Sequence, residues 1–257
     1  MPAPLSLSVA VVTLNEESNL PRCLKSVQGL AAEIMVLDSG STDRTAEIAR
    51  SFGARFETQS WAGFVAQKTR AFSLCTQPWV LNLDADEVVS PELAESLRQA
   101  FASGEPAHGG FEINRRTFYL GDWVRHAWNP DWVLRLALRD GARWAGHDPH
   151  AHLAVAGVTA RLSGDLLHYS YRSLEDHLAR TIHYARVGAD RYEQEGRAVR
   201  WYHLVISPWA AFFKKLILKS AWRDGWRGWT ISVVTMFGVF AKHAFRLEKK
   251  LLAKRNL

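Results

Sequence analysis

One pattern repeats through the first hundred residues: a short apolar run that stops at a polar cluster, then a stretch with helical periodicity. Leu7 to Thr13 reads as a buried strand running into Leu14-Asn15-Glu16, and a helix follows through Leu20, Leu24 and Val27. Ile34 to Leu37 is a second strand ending at Asp38. Ser41 or Thr42 is expected to cap the next helix, which turns Ala46, Ile48, Ala49 and Phe52 inward. Ala54 to Glu57 is a third strand, and Phe64 to Cys75 suits a helix carrying Gln67, Lys68 and Arg70. Trp79 to Leu83, the fourth strand, runs straight into Asp84-Ala85-Asp86. Ser90-Pro91 then supplies an N-cap and a first-turn proline for a helix to about Ala102. Strand–helix alternation at this spacing implies an α/β fold with a mainly parallel sheet flanked by helices. In such a sheet, ligands bind at the carboxyl ends of the strands.

Beyond Ser103 the pattern is less regular. Strands are expected near Phe111–Arg116, Val133–Ala137 and Gly164–Tyr169, then a helix from Ser173 to Glu195 capped by Ser173. The remaining tail reads as helical and amphipathic, broken at Pro208 and around Gly225–Gly228. At 257 residues the chain suits one large domain with an appendage. The expected division is 1–199 for the main domain (1–103 nucleotide-binding, 104–199 acceptor-binding) and 200–257 for the tail.

Three polar clusters fall at expected strand ends: Thr13–Glu16, Asp38–Asp43 and Asp84–Glu87. Alternation turns Asp84 and Asp86 to the same side of an extended backbone. A hard cation such as Mg²⁺ or Mn²⁺ takes one or two carboxylates and completes its shell with phosphate oxygens and water, which is what Asp84-x-Asp86 offers. Neither a GxGxxG nor a GK(S/T) loop is present, so dinucleotide and P-loop chemistry fall away. Asp84-Ala85-Asp86-Glu87-Val88 also fits an aspartyl-phosphatase pattern, although three strands precede it here. A non-catalytic nucleotide-binding membrane adaptor is a third reading.

Val11-Val12-Thr13-Leu14-Asn15-Glu16-Glu17, Asp38-Ser39-Gly40-Ser41-Thr42-Asp43 and Leu83-Asp84-Ala85-Asp86-Glu87 together resemble the family 2 glycosyltransferases of GT-A fold. Gly63-Phe64-Val65-Ala66-Gln67-Lys68 and Trp128 through Leu136 are similar to the lipopolysaccharide core β-glucosyltransferase subgroup, as is the basic, aromatic tail. The resemblance implies an inverting hexosyltransferase using a UDP-sugar, UDP-glucose for this subgroup, and a lipid-linked saccharide acceptor such as the lipopolysaccharide inner core. It implies that Thr13 and Glu16 line the nucleoside pocket and that Asp38 lies by the uracil or ribose. Lys68 with Arg70 approaches the nucleotide, Asp84 reaches the ribose and Asp86 holds the metal. Many members carry a second acid directly after the position of Asp38, where this chain has Ser39.

Inversion requires a base on the acceptor hydroxyl. Asp148 in Gly146-His147-Asp148-Pro149-His150 is the candidate, lying where the resembling family places its catalytic acid, often as His-Glu; a plain Asp-Pro turn is the alternative. Trp128, Asp131 and Arg135 are assigned to the acceptor side, with packing beneath the sheet as the alternative for the tryptophans. His147, His150 and His152 lack the Cys or HExxH context of a zinc site. One histidine could instead touch the diphosphate or its metal, and His168 suits a core position as well as a ligand.

From Arg200 onward the chain holds twelve Lys/Arg against two acids, leaving residues 1–199 at −4 within a total of +6. An acidic body with a basic, Trp-rich tail points to an anionic membrane surface and away from nucleic acid. The longest uncharged run, Gly228 to Ala241, has fourteen residues and falls short of a spanning helix. It is expected to dip into the interface or to bury against the main domain. With no signal-peptide pattern in Met1–Ala10 and two isolated cysteines, Cys23 and Cys75, the expected location is cytoplasmic. The tail would then lie peripherally on the inner face of the cytoplasmic membrane.

Overall fold

The computed structural model describes residues 3–146, 148 and 151–255. In chain order it runs β1 (Leu5–Thr13), α1 (Leu20–Val27), β2 (Ala31–Asp38), α2 (Thr45–Ser51), β3 (Arg55–Thr58), α3 (Phe64–Leu74), β4 (Trp79–Asp84), β5 (Glu87–Val89), α4 (Pro91–Phe101), β6 (Gly110–Tyr119), β7 (Asp122–Trp123), β8 (Trp132–Leu138), β9 (Ala142–Ala145), β10 (His152–Val155), β11 (Thr159–His168), α5 (Leu174–Gln194), α6 (Ile206–Phe213) and α7 (Gly225–Arg255). Two compact units divide it: residues 1–116 with 131–169, and residues 117–130 with 170–257.

The first unit is built on a sheet of order β3-β2-β1-β4-β8-β6-β11-β5. β3, β2, β1 and β4 are parallel, as the strand–helix alternation requires. The other half is not the continuation of a parallel sheet: β8 runs antiparallel to both β4 and β6, and β5 antiparallel to β11. A parallel neighbour needs a crossover of a dozen or more residues, usually a helix, and among the described residues no α-helix lies between β6 and β11. Along β1, Leu7, Val9 and Val11 join the core formed with Leu20, Leu24, Trp79, Leu81 and Leu93, while Ala10 joins Met35, Phe72, Val80 and Trp144 on the opposite face. Both faces are therefore dry, which is why β1 reads as an almost continuous apolar run.

Local signals held at some ends and failed at others. Ser90 Oγ accepts the Leu93 N–H and Pro91 opens α4, as the Ser-Pro pair predicts. Neither Ser41 nor Thr42 caps α2. That helix starts at Thr45, whose N–H donates to Asp43 Oδ1, because Ser41 is drawn into the loop below it. The short β5 and the β9–β10 hairpin escaped the sequence pattern.

In the second unit α5 packs along α7, with small residues at the crossing: Ala185 and Ala189 are buried on α5, and a Cβ on Gly238 of α7 would meet Thr181 Cγ2 at 2.8 Å. Pro208 does not break the tail; it falls in the first turn of α6, where its missing N–H has no intrahelical partner to lose. The chain turns instead between Ser220, at φ 52°, and Gly225, at φ 61°. No described helix is long and apolar enough to cross a membrane.

An aromatic cluster of Tyr119, Trp128, Tyr171 and His177 fills this unit's core, with Tyr119 Oη and His177 Nδ1 2.8 Å apart. Burial pulls the His177 imidazole down to about 4 and, with Tyr171, pushes the Tyr119 phenol up to about 12. A lowered histidine means that the unfolded chain binds the proton first. The histidine contribution to stability should therefore fall as pH drops from about 6.5 to about 4 and level off below, with His243, also pulled down to about 4 by burial, adding to it. Thermal unfolding across that range should show the loss, and His177→Gln should flatten the slope.

Candidate active site

The carboxyl ends of the parallel strands lie in one row. Thr13 is registered with Asp38, Val12 with Asp84, and Asp38 with Thr58. Asp38 is buried and its carboxylate is filled by its own surroundings. Oδ1 accepts from Thr13 Oγ1 at 2.9 Å and Ser41 Oγ at 2.5 Å, and Oδ2 from the Gly40 and Ser41 N–H groups at 2.8 and 2.7 Å. The loop after β1 is laced to the loop after β2. Asn15 N–H donates to Ser41 Oγ, Asn15 Oδ1 accepts from Thr42 N–H, and Glu16 N–H donates to Thr45 Oγ1 at 2.8 Å. The Glu16 carboxylate holds Asn19 Nδ2 at 2.8 Å. Ser39 Oγ accepts from the wholly buried Gln67 of α3.

Period-2 geometry places Asp84 on the same face of β4 as Val80, the face that α3 covers. Lys68 of α3 reaches Asp84 Oδ1 at 2.6 Å, and Arg135 of β8 reaches Oδ2 at 2.7 Å. Arg135 also meets the fully buried Glu87 at 2.5 Å, and Arg115 lies between Glu87, at 3.6 Å, and Asp131, at 2.8 Å. The result is an alternating chain: Lys68, Asp84, Arg135, Glu87, Arg115, Asp131. Burial pushes the Asp84 carboxyl up, but Arg135 and Lys68 outweigh it and hold the group well below the usual carboxylate range. Burial likewise opposes charge on Arg135, and Asp84 and Glu87 raise it regardless. Both oxygens of Asp84 are thus neutralised by the protein itself.

Asp86 is placed differently. Its carboxylate lies 3.4 Å from His168 Nε2, and its carbonyl accepts the Tyr169 N–H at 2.9 Å. His168 Nδ1 is buried with no hydrogen-bond partner among the described residues, which leaves Nε2, facing Asp86, as the ring's polar contact. No group of three or more His, Cys, Asp or Glu among the described residues could hold a metal by itself. One carboxylate and one imidazole suit a divalent ion that takes its remaining ligands from a diphosphate and water.

The other expected residues are spread more widely. Arg70 points to the outer face of α3 and pairs with Glu57 at 3.4 Å, so it does not converge with Lys68. Arg135, expected on the acceptor side, lies buried against Asp84 and Glu87 because β8 is the direct neighbour of β4. Asp131 is clasped by Arg115. Trp128 belongs to the second unit and stacks on Tyr171 at 5.3 Å between ring centres. Asp148 is exposed and caps α3, accepting the Phe64 and Val65 N–H groups at 3.1 and 3.2 Å. Gly63 makes room for it, since a Cβ there would stand 2.2 Å from Asp148 Oδ2. His147 and His150 lie outside the described residues, and His152 is exposed at the start of β10. Arg115 was not foreseen; a lone cation in a strand gives no sign of the buried acid it meets 28 residues away.

Comparison with known proteins agrees with this geometry. Residues 8–161 match the model of Glycosyl transferase family 2. The chain is 30% identical to the lipopolysaccharide core biosynthesis glycosyltransferase LpsC of Rhizobium meliloti, with 98% of this chain and 94% of that one aligned. It is 29% identical to an uncharacterized glycosyltransferase of Rickettsia typhi over 98% of this chain and 89% of the relative. Among solved structures, the mannosyltransferase PcManGT from Pyrobaculum calidifontis, in complex with GDP-Man and Mn²⁺, superposes with a TM-score of 0.56 at 16% identity, covering 97% of this chain and 88% of that one. That likeness is one of fold. Family membership sets the phosphatase reading of Asp84–Val88 aside, and the chain belongs to glycosyl transferase family 2, an enzyme family, with the GT-A fold.

Proposed function

We propose that the enzyme is an inverting hexosyltransferase that moves glucose from UDP-glucose to a lipid-linked saccharide of the lipopolysaccharide inner core, at an anionic membrane surface. The observation that carries this reading is the pair Asp86 and His168, 3.4 Å apart, with Asp86 two residues past the end of β4, whose last residue is registered with Val12 beside Thr13 and Asp38. The name of the Rhizobium meliloti relative supports the acceptor class.

Asp86 and His168 would hold Mg²⁺ or Mn²⁺, which when bound draws off negative charge from the leaving diphosphate. Thr13, Glu16 and Asp38 line the nucleoside pocket in this reading. Asp84 faces the ribose, and Lys68, beside it, lies near the nucleotide. The acceptor oxygen forms its bond to the anomeric carbon as the bond to the diphosphate oxygen breaks, and that bond's electron pair leaves with UDP. Asp148 takes the acceptor's proton. Trp128, Asp131 and Arg135 remain the acceptor-side assignment, with Arg135 acting through Asp84 and Glu87.

Asp148→Asn removes the base while keeping half of the cap: its amide oxygen can still accept one of the Phe64 and Val65 N–H groups, but its amide nitrogen can neither accept the other nor take a proton. UDP release should fall by roughly 10²–10⁴-fold, with a melting temperature lowered by no more than the loss of one cap hydrogen bond. Undiminished turnover would leave Asp148 as the cap of α3 alone. Screening nucleotide sugars with Mg²⁺ or Mn²⁺ and purified core saccharides tests the rest. Acceptor-dependent UDP release from UDP-glucose is expected, and release from another donor alone would overturn the donor assignment.

A further inference from the structure

The second unit leaves a continuous series of large apolar side chains in water. Trp209 and Phe213 on α6, Ile217 and Leu218 on the π-helical turn Lys214–Leu218, Trp222 on the next turn and Trp226 at the start of α7 are all exposed, Leu218 by 76%. Folded proteins rarely keep so many together without a partner. Gly228–Ala241, expected either to dip into the interface or to bury against the main domain, buries Ile231, Ser232, Val234 and Ala241 and leaves Trp229, Val233, Phe237 and Phe240 exposed. The left-handed turn at Ser220 leaves Ile217, Leu218 and Lys219 at a bend.

The charge beside these side chains has one sign. Lys214, Lys219 and Arg223 are exposed. Between Arg200 and Leu247 the one acid is Asp224, and its carboxylate is turned inward, accepting the N–H groups of Arg125, His126 and Ala127 at 2.9, 3.1 and 2.7 Å. Two copies meeting through this face about a two-fold axis would bring like charges together. An anionic bilayer instead offers phosphates to the cations and a headgroup boundary to the indoles.

We propose that the segment from Trp209 to Trp226 is the membrane-docking edge of the enzyme, with Ile217 and Leu218 inserted among the acyl chains and Lys214, Lys219 and Arg223 on anionic headgroups. This deepens the reading of a lipid-linked acceptor, but its test needs neither donor nor acceptor, so either can fail alone. Cys23 and Cys75 are buried, which lets a Leu218→Cys chain be labelled selectively with an environment-sensitive fluorophore. A Val158→Cys chain, with a label on the exposed surface of the first unit, is the control. The label at 218 should shift to the blue with vesicles of phosphatidylcholine and phosphatidylglycerol, but not with phosphatidylcholine alone, and the label at 158 with neither. In flotation, Ile217→Ser with Leu218→Ser, and separately Lys214→Glu with Lys219→Glu and Arg223→Glu, should each cut binding at least tenfold with an unchanged far-ultraviolet spectrum. Any of three results overturns the proposal: no shift at 218, equal binding to neutral vesicles, or self-association in sedimentation that the same substitutions abolish.

Discussion

Asp86→Ala should lower the rate of sugar transfer on the order of 10³-fold, roughly 4 kcal/mol of transition-state stabilisation. The neighbouring carboxylates cannot replace it. Both Asp84 oxygens are already paired with Lys68 and Arg135, and Glu87 is buried against Arg135. His168 alone would leave the ion with a single protein ligand. His168→Ala should be milder, with activity partly recovered at raised Mn²⁺, because the carboxylate that supplies charge is still present. The substitution at 86 should also weaken UDP binding when Mn²⁺ is present and leave it unchanged without metal, which calorimetry would read directly. The melting temperature should hold, since the Asp86 side chain is partly exposed and its contact with His168 is 3.4 Å long. Full activity in Asp86→Ala, or transfer indifferent to chelator, would remove the metal from the mechanism.

Much of the row of strand ends was legible because β1, β2 and β4 are buried on both faces. Such strands read as apolar runs that stop where the site begins. The caps of α4 and α5 were legible for the same local reason: Ser90 and Ser173 each accept an N–H three residues on. What was not legible depends on partners far apart in sequence. Arg135 meets Glu87 across 48 residues because β8 lies antiparallel beside β4, a pairing that no local periodicity encodes. Asp148 reaches the start of α3 across more than 80 residues, so its Asp-Pro context showed a turn former and not a helix cap. Ser41 looked like a cap for α2 and spends its hydroxyl on Asp38 instead. Short strands such as β5, with a buried Glu at its first position, offer neither length nor alternation to read.

Arg135→Met should be the most destabilising of the substitutions considered, by about 3–5 kcal/mol at neutral pH, because it leaves Glu87 charged in a fully buried site. Arg115, at 3.6 Å and already bonded to Asp131, is a poor substitute. The loss is a large part of the 5–15 kcal/mol that holds a typical domain together, so a marked fall in melting temperature is expected. Its pH dependence distinguishes this cause from a simple packing defect. In the native enzyme Asp84 is held below its ordinary range, so its contribution is intact above about pH 4 and disappears only in stronger acid. In Arg135→Met the charge left uncompensated in the buried site costs less as pH falls toward the ordinary carboxylate range, because protonation removes it. The variant's deficit should therefore shrink from pH 8 to pH 5, where the native protein's carboxylate contribution is flat. Adding Glu87→Leu should recover part of the lost stability, because the uncompensated charge is gone with its partner. Arg135→Lys should not rescue fully, since one ammonium cannot span Asp84 and Glu87 as the guanidinium does. A pH-independent deficit, unchanged by Glu87→Leu, would show that Arg135 stabilises the strand ends by packing and not by charge.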